Sequence, residues 1–153
     1  MSEKSAPEHY SALVSMYKAA PVNAFYRPEM VVSEGKAEIE IEISEKHFHS
    51  AGAVHGSAYF KMLDDAAFFA ANSLESEYFV LTTSFTTYLT RPVSSGKLKS
   101  VGKVVNSNRS QFIAESVVYD EQGREIGRGN GVFMRGKMRL VDALGYAGKT
   151  SLG

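Results

Sequence analysis

The stretch from Ser57 to Ala71, SAYFKMLDDAAFFAA, constrains this chain more than any other segment. It has no proline, is rich in alanine, phenylalanine and leucine, and carries only three charges, Lys61, Asp64 and Asp65. That composition predicts a helix buried on most of its sides. A carboxylate inside such a helix is costly unless it is paired or put to use, so the functional question turns on Asp64 and Asp65. The helix is preceded by three histidines within nine residues, His47, His49 and His55, interleaved with Gly52 and followed by Gly56.

The rest of the chain reads mostly as strands. Ser5-Ala-Pro-Glu8 has the form of a capping box, and Tyr10, Leu13, Val14 and Tyr17 follow at helical spacing until Pro21, which predicts a short amphipathic N-terminal helix. Phe25 to Val32 reads as a first strand, with a turn at Ser33-Glu34-Gly35. Lys36 to Ile43 alternates cleanly, placing Ala37, Ile39, Ile41 and Ile43 on one face and Glu38, Glu40 and Glu42 on the other, the pattern of a half-buried strand. After Asn72, strands are predicted over Tyr78 to Thr90, Lys97 to Val105, Gln111 to Tyr119 and Glu125 to Met134, with a hairpin turn at Asp120-Glu-Gln-Gly123. Short links imply antiparallel pairing. One helix that is apolar nearly all round, among strands, should be wrapped by them. The expectation is an α+β fold in which a curved antiparallel sheet encloses a central helix. Residues 1–136 would form this single domain, and the weakly patterned tail 137–153 reads as partly disordered.

Composition narrows the function classes. Lysine plus arginine and aspartate plus glutamate are balanced at 17 each, so no net field draws nucleic acid or an anionic membrane. Cysteine is absent, which excludes thiolate catalysis and cysteine metal sites. The start, MSEKSAPEHY, lacks the order of a signal peptide, and no apolar run approaches membrane-spanning length. A cytoplasmic protein that binds neither nucleic acid nor membrane is expected.

Two phosphate-loop patterns are decoys. Ala143 to Thr150 fits a loose Walker pattern, but such a loop needs a following helix and only Ser151, Leu152 and Gly153 remain. Gly127, Gly129 and Gly131 fall within a strand, where alternate glycines leave one face bare for a close neighbour. The histidines with an aspartate could offer metal ligands, but they lack the fixed spacing of a ligand pair, and no metal is expected. Lys61, Asp65, Phe68 and Asn72 form one helical stripe, with Asp65 four residues after Lys61, a salt-bridge spacing. That stripe is expected to meet water or a partner. Asp64 lies about 100° away, beside Ser57, Phe60 and Ala71, in the more apolar setting that raises a carboxylate pKa and suits a general base or nucleophile. His55-Gly56-Ser57 opens the helix, where free N–H groups and the positive dipole end can polarise a carbonyl. The two features are about 12 Å apart by helical rise. A two-fold dimer would bring the loop of one subunit beside the aspartate of the other.

These residues resemble the hotdog-fold acyl-CoA thioesterases, and most closely the group of phenylacetate-pathway and 4-hydroxybenzoyl-CoA thioesterases. The resemblance spans roughly residues 22–135. That family carries Asn or Gln, then His-Gly-Gly six residues later, then an acid nine residues after the histidine; here His55, Gly56 and Asp64 fall at those places. Tyr88-Leu-Thr-Arg-Pro92 is similar to the family's Phe-Leu-Arg-Pro-like strand end. Ser57 stands in place of the second glycine, and His49 in place of the Asn or Gln.

The resemblance implies a hotdog fold with five to six strands and a short N-terminal helix. It also implies hydrolysis of an acyl-CoA or acyl-carrier thioester without a cofactor, coenzyme A entering as part of the substrate. The Gly56 N–H would polarise the carbonyl, Asp64 of the partner subunit would act as base or nucleophile, Thr82 or Thr83 would orient water, and His49 and His55 would shape the site. Ser57, Tyr59, Phe60 and Phe68 would contact substrate, and Arg91 and Arg109 would hold coenzyme A phosphates. A homodimer with shared sites, assembling further into a homotetramer, is implied. Two rivals share the fold: a non-catalytic acyl-CoA-binding module, and a hydratase or dehydratase, which would pair an Asp with a His in a different loop.

Overall fold

A computed structural model describes residues 4–153. The N-terminal helix α1 spans Ala6–Ala19, capped by the Ser5 hydroxyl, which accepts from the Glu8 N–H at 3.3 Å. A short turn of helix, α2 (Asn23–Tyr26), ends at Arg27, whose φ of 50° is left-handed. The strands are β1 (Glu29–Ser33), β2 (Lys36–Glu42), β3 (Tyr78–Leu89), β4 (Lys97–Ser107), β5 (Gln111–Tyr119) and β6 (Glu125–Arg139). The central helix α3 (Gly56–Ser73) lies between β2 and β3 in sequence.

All strand pairs are antiparallel, in the order β1-β2-β4-β5-β6-β3. The sheet wraps α3, which touches all six strands. The alternation read from β2 holds: Ala37, Ile39, Ile41 and Ile43 are buried with Leu13, Met62 and Leu63. Two buried serines tie helix to sheet, Ser100 of β4 donating to the Met62 carbonyl at 2.8 Å and Ser116 of β5 to the Leu63 carbonyl at 2.7 Å. Close approach demands small residues. A Cβ on Gly102 would fall 2.3 Å from the Ala66 backbone, and Cβ atoms on Gly129 and Gly131 would fall 2.6 and 2.5 Å from the Phe85 ring. The bare face read from the alternate glycines of β6 therefore receives the Phe85 ring of β3.

Three expectations are corrected. Phe25 to Val32 is not one strand: residues 23–26 are helical, and the left-handed Arg27 with Pro28 forces a break before β1. The boundary at 136 falls inside β6, which runs to Arg139, and the segment beyond it packs on α1 through buried Leu140, Ala143 and Tyr146. Tyr146 Oη lies 2.7 Å from His9 Nδ1, and His9 Nε2 lies 2.8 Å from the Asn72 carbonyl oxygen. Burial lowers the His9 pKa, so the ring is neutral, with its proton on Nε2 donated to that carbonyl. Last, the Lys61-Asp65-Asn72 stripe is not an open face: Lys61 and Asp65 are mostly covered by Tyr17 and Tyr26. Asn72 is fully buried and holds the start of β3, donating to the Glu75 and Tyr78 carbonyls and accepting from the Val80 N–H.

Candidate active site

Asp64 and Asp65 are adjacent on α3 and face different neighbours. Asp64 is partly buried against β3, where Thr82 Oγ1 donates to its Oδ1 at 2.9 Å. Burial is the largest influence on this carboxyl and pushes its pKa up to about 6; the Thr82 hydrogen bond opposes that, Asp65 adds to it, and Lys61 opposes it. Aromatic rings account for the apolar setting. Phe60, one turn before Asp64, meets Phe85 edge-on at 5.6 Å, and Phe68, one turn after, meets Phe79 at 5.2 Å and Phe133 at 6.2 Å.

Of the two threonines expected near the acid, the structure brings only Thr82 to it. The pairing of β3 with β6 shifts register between Thr82 and Ser84. Such a bulge re-aims side chains, and Thr83 Oγ1 donates instead to the Val132 carbonyl at 3.2 Å.

At the other end of the site, His55 is the N-cap of α3, its Nδ1 accepting from the Ser57 N–H at 3.0 Å. The Ser57 hydroxyl lies 2.8 Å from the same nitrogen. This capping leaves the Gly56 N–H without a hydrogen-bond acceptor among the described residues. The Leu89 side chain leans on Gly56, where a Cβ would come within 2.9 Å of Leu89 Cδ1. Leu89 lies in the Tyr88-to-Pro92 motif, but nothing in that motif assigned it a contact with Gly56. His49 sits exposed in the preceding loop, its Nδ1 accepting from the Ala51 N–H at 3.1 Å. His47 is buried and stacked on Tyr26, and its Nδ1 accepts from the Ser44 N–H at 3.1 Å. Each histidine is thus engaged with its own stretch of backbone, and among the described residues no three His, Asp or Glu side chains converge as a metal-binding group.

The expected substrate contacts divide. Phe60 is 42% exposed and partly buried Phe68 lines the same helix face. Tyr59 is core: it is buried, and its hydroxyl donates to the Arg91 carbonyl at 2.7 Å, tying α3 to the segment after β3. Arg91 and Arg109 are exposed at strand ends. Arg135, by contrast, is spent on structure, bonding Glu75 at 2.8 Å and the Asn108 and Arg109 carbonyls at 2.8 and 2.9 Å. A recess of about 520 Å³ lies on the outer face of the sheet, lined by Val101, Lys103, Val117, Tyr119 and Arg128. The carboxylate and the helix N-terminus are on the other face.

The thioesterase superfamily model matches residues 51–126, the span that holds Gly56, Asp64 and Thr82. The fold matches the E. coli PaaI protein from the phenylacetic acid degradation operon with a TM-score of 0.80, at 15% identity over 88% of this chain and 97% of that one. It matches a thioesterase of Haemophilus influenzae with a TM-score of 0.73, at 15% identity over 84% and 90% of the two chains. A conserved protein of Pseudomonas aeruginosa matches at 0.71, with 20% identity over 76% and 94%. Comparison with curated proteins gives no match. The fold is the hotdog fold, as the motif around His55 led one to expect, and the resemblance to its thioesterases is borne out. No helix among the described residues is long and apolar enough to cross a membrane.

Proposed function

We propose that the protein is a thioester hydrolase acting on an acyl group carried by coenzyme A or an acyl-carrier protein. The observation that carries this reading is Asp64: a partly buried carboxyl, hydrogen-bonded by Thr82, with its pKa pushed up to about 6. A base poised near the working pH takes a proton efficiently while remaining largely ionised. It stands on the helix whose first residue, Gly56, carries an N–H with no acceptor among the described residues.

In the proposed reaction the thioester carbonyl oxygen lies against the Gly56 N–H. Asp64 removes a proton from water as its oxygen bonds to the carbonyl carbon, and the negative charge moves to the carbonyl oxygen at the helix N-terminus. Collapse breaks the C–S bond, and the departing sulfur takes up the proton. Direct attack by Asp64, giving a mixed anhydride that water then cleaves, uses the same atoms. Thr82 fixes the carboxylate, and His49 and His55 shape the loop. Arg91 and Arg109 are the free cations proposed for coenzyme A phosphates. No cofactor enters, and the cytoplasm, where such thioesters are made, is the proposed location.

Eight residues of helix separate Gly56 from Asp64, about 12 Å of rise, so the two act together only across two subunits. Support for a dimer comes from β3, a twelve-residue edge strand with Leu81, Tyr88 and Leu89 exposed. Such an edge is normally covered. Pairing of dimers into a tetramer is part of the same reading.

Thiol release from a panel of aryl-, short- and medium-chain acyl-CoAs tests the proposal. Asp64→Asn is expected to lower turnover at least about a hundredfold with the dimer intact. Undiminished turnover would remove Asp64 from the reaction. Binding of acyl-CoA without thiol release, in wild type as in mutant, would make the protein an acyl-CoA-binding module.

A further inference from the structure

The carboxylate of Asp65 is bound more heavily than that of Asp64, although no step of the proposed reaction uses it. Its Oδ2 accepts from Lys61 Nζ at 2.6 Å and from Tyr17 Oη at 2.7 Å. The Lys61 ammonium also lies over the rings of Tyr17 and Tyr26, 5.3 and 5.1 Å from their centroids. The Lys61 and Asp65 side chains are only 15% and 17% exposed. Burial and the adjacent Asp65 hold the Tyr17 hydroxyl well above its ordinary pKa, so it stays a donor. A largely desolvated pair is costly to build and costlier to break on one side. Here two donors on one oxygen, and two rings around the cation, keep it intact and turn Asp65 toward α1.

We infer that Lys61, Asp65 and Tyr17 form a positioning cluster for Asp64. The cluster holds the neighbouring carboxylate paired with Lys61 and turned toward α1, so that Asp64 alone of the adjacent pair faces substrate, between balanced charges. The inference rests on the reading of Asp64 as the reacting carboxylate.

The groups facing Asp64 within this chain are few. From α3 come Lys61, three residues before, and Asp65, immediately after; from β3 comes the Thr82 hydroxyl; from α1 comes the Tyr17 phenol. The Asp65 charge disfavours ionisation of Asp64 and the Lys61 charge favours it. Removing one therefore exposes the other, and the two removals act with opposite sign. Lost packing would not produce that antisymmetry.

The test is an NMR titration of the Asp64 carboxyl in the full chain labelled with ¹³C-carboxyl aspartate, paired with the pH profile of kcat/KM. Lys61→Gln keeps a donor for Asp65 and removes the charge; it is expected to raise the Asp64 midpoint by about half a unit to one unit. Asp65→Asn is expected to lower it by about the same amount. The double variant should return to within about 0.3 unit of wild type. The acid limb of kcat/KM should move in the same directions. Shifts of one sign in both single variants, or no shift in either, would overturn the cluster. The midpoints are read without catalysis, so the two assignments fail separately. Opposed shifts support the cluster, whereas turnover that survives Asp64→Asn removes the reading of Asp64 on which its purpose rests.

Discussion

The two long faces of α3 differ in how they treat a carboxylate. Toward α1 the helix is closed: Asp65 has two donors on one oxygen, Lys61 has two aromatic rings beside it, and the Asn72 carbonyl meets the His9 ring. Toward β3 it is open. Asp64 has a single side-chain hydrogen bond, to Thr82, while Phe60, Leu81 and Leu89 stand partly in solvent. The same residue type, one position apart, is therefore used for cohesion on one face and left available on the other. The difference teaches where substitutions should cost stability and where they should cost activity.

The largest effect is expected where the helix backbone is closest to the sheet. Gly102→Ala would place a methyl 2.3 to 2.6 Å from the backbone of Ala66 and Ala67, atoms that cannot swing away. Urea denaturation should show a loss above about 3 kcal/mol, or no cooperative fold at all. Gly56→Ala is the counterpart on the open side. There the methyl meets only the tip of the Leu89 side chain at 2.9 Å. Stability should change by less than about 1 kcal/mol, while thiol release should fall at least about tenfold because the new methyl blocks close approach to the N–H.

Next in size is Asp64→Asn, whose sign is opposite to that of an ordinary core lesion. The folded-state pKa of about 6 stands above the ordinary value of 3.8. The folded protein thus holds the proton more tightly than the unfolded chain does. That stabilisation is fully present below the ordinary value and is lost as pH rises through 6, leaving the ionised group a burden at neutral pH. Removing the charge should stabilise the fold by about 2 to 3 kcal/mol at pH 7 and by nothing below about pH 4. A denaturation series across that window checks it. Equal effects at both ends would mean that Asp64 is as well solvated as an unfolded aspartate.

Much of this contrast was legible in the sequence, and the exceptions have local causes. The alternation of β2 survives because one face of that strand meets the core and the other meets water. Gln111 to Tyr119 matches β5 residue for residue. Asp64 was separable from Asp65 by helical angle and by the Lys61 spacing alone. The stripe containing Asp65 and Asn72 was read as a face for water or a partner because a helical pattern does not reveal a second helix lying across it. Tyr17 and His9 supply that cover from α1, 48 and 63 residues away in sequence from Asp65 and Asn72. The choice between Thr82 and Thr83 depends on a bulge that no residue preference announces. The first strand was drawn too early because Phe25, Tyr26, Val31 and Val32 look extended, whereas the left-handed Arg27 lies between them.

On the closed face a milder probe is Tyr17→Phe, which removes one donor to Asp65 and keeps the ring under Lys61. The Lys61 pair remains at 2.6 Å, so the loss should be one charge-assisted hydrogen bond, about 1 to 2 kcal/mol in urea. A loss of that size with only a small change in kcat would sharpen the division, since the surviving Lys61–Asp65 pair would still hold Asp65 toward α1.

The smallest expected effect on stability lies on the open face. Phe60 is 42% exposed, and its main partner is the edge of Phe85, 5.6 Å between ring centres. A half-exposed aromatic with one such contact should cost no more than about 1 kcal/mol when cut to alanine. It stands one turn before Asp64, on the side that the proposed dimer would enclose, so its area is available to a ligand or a partner chain. If it lines the acyl site, Phe60→Ala should raise KM for bulky acyl groups more than for short ones and leave the dimer intact. If it serves the subunit contact, the dimer should weaken and KM should rise alike for every substrate. Sedimentation of the variant beside its kinetics separates the two. A stability loss of several kcal/mol would break the comparison itself, because it would show that the open face carries the fold as well.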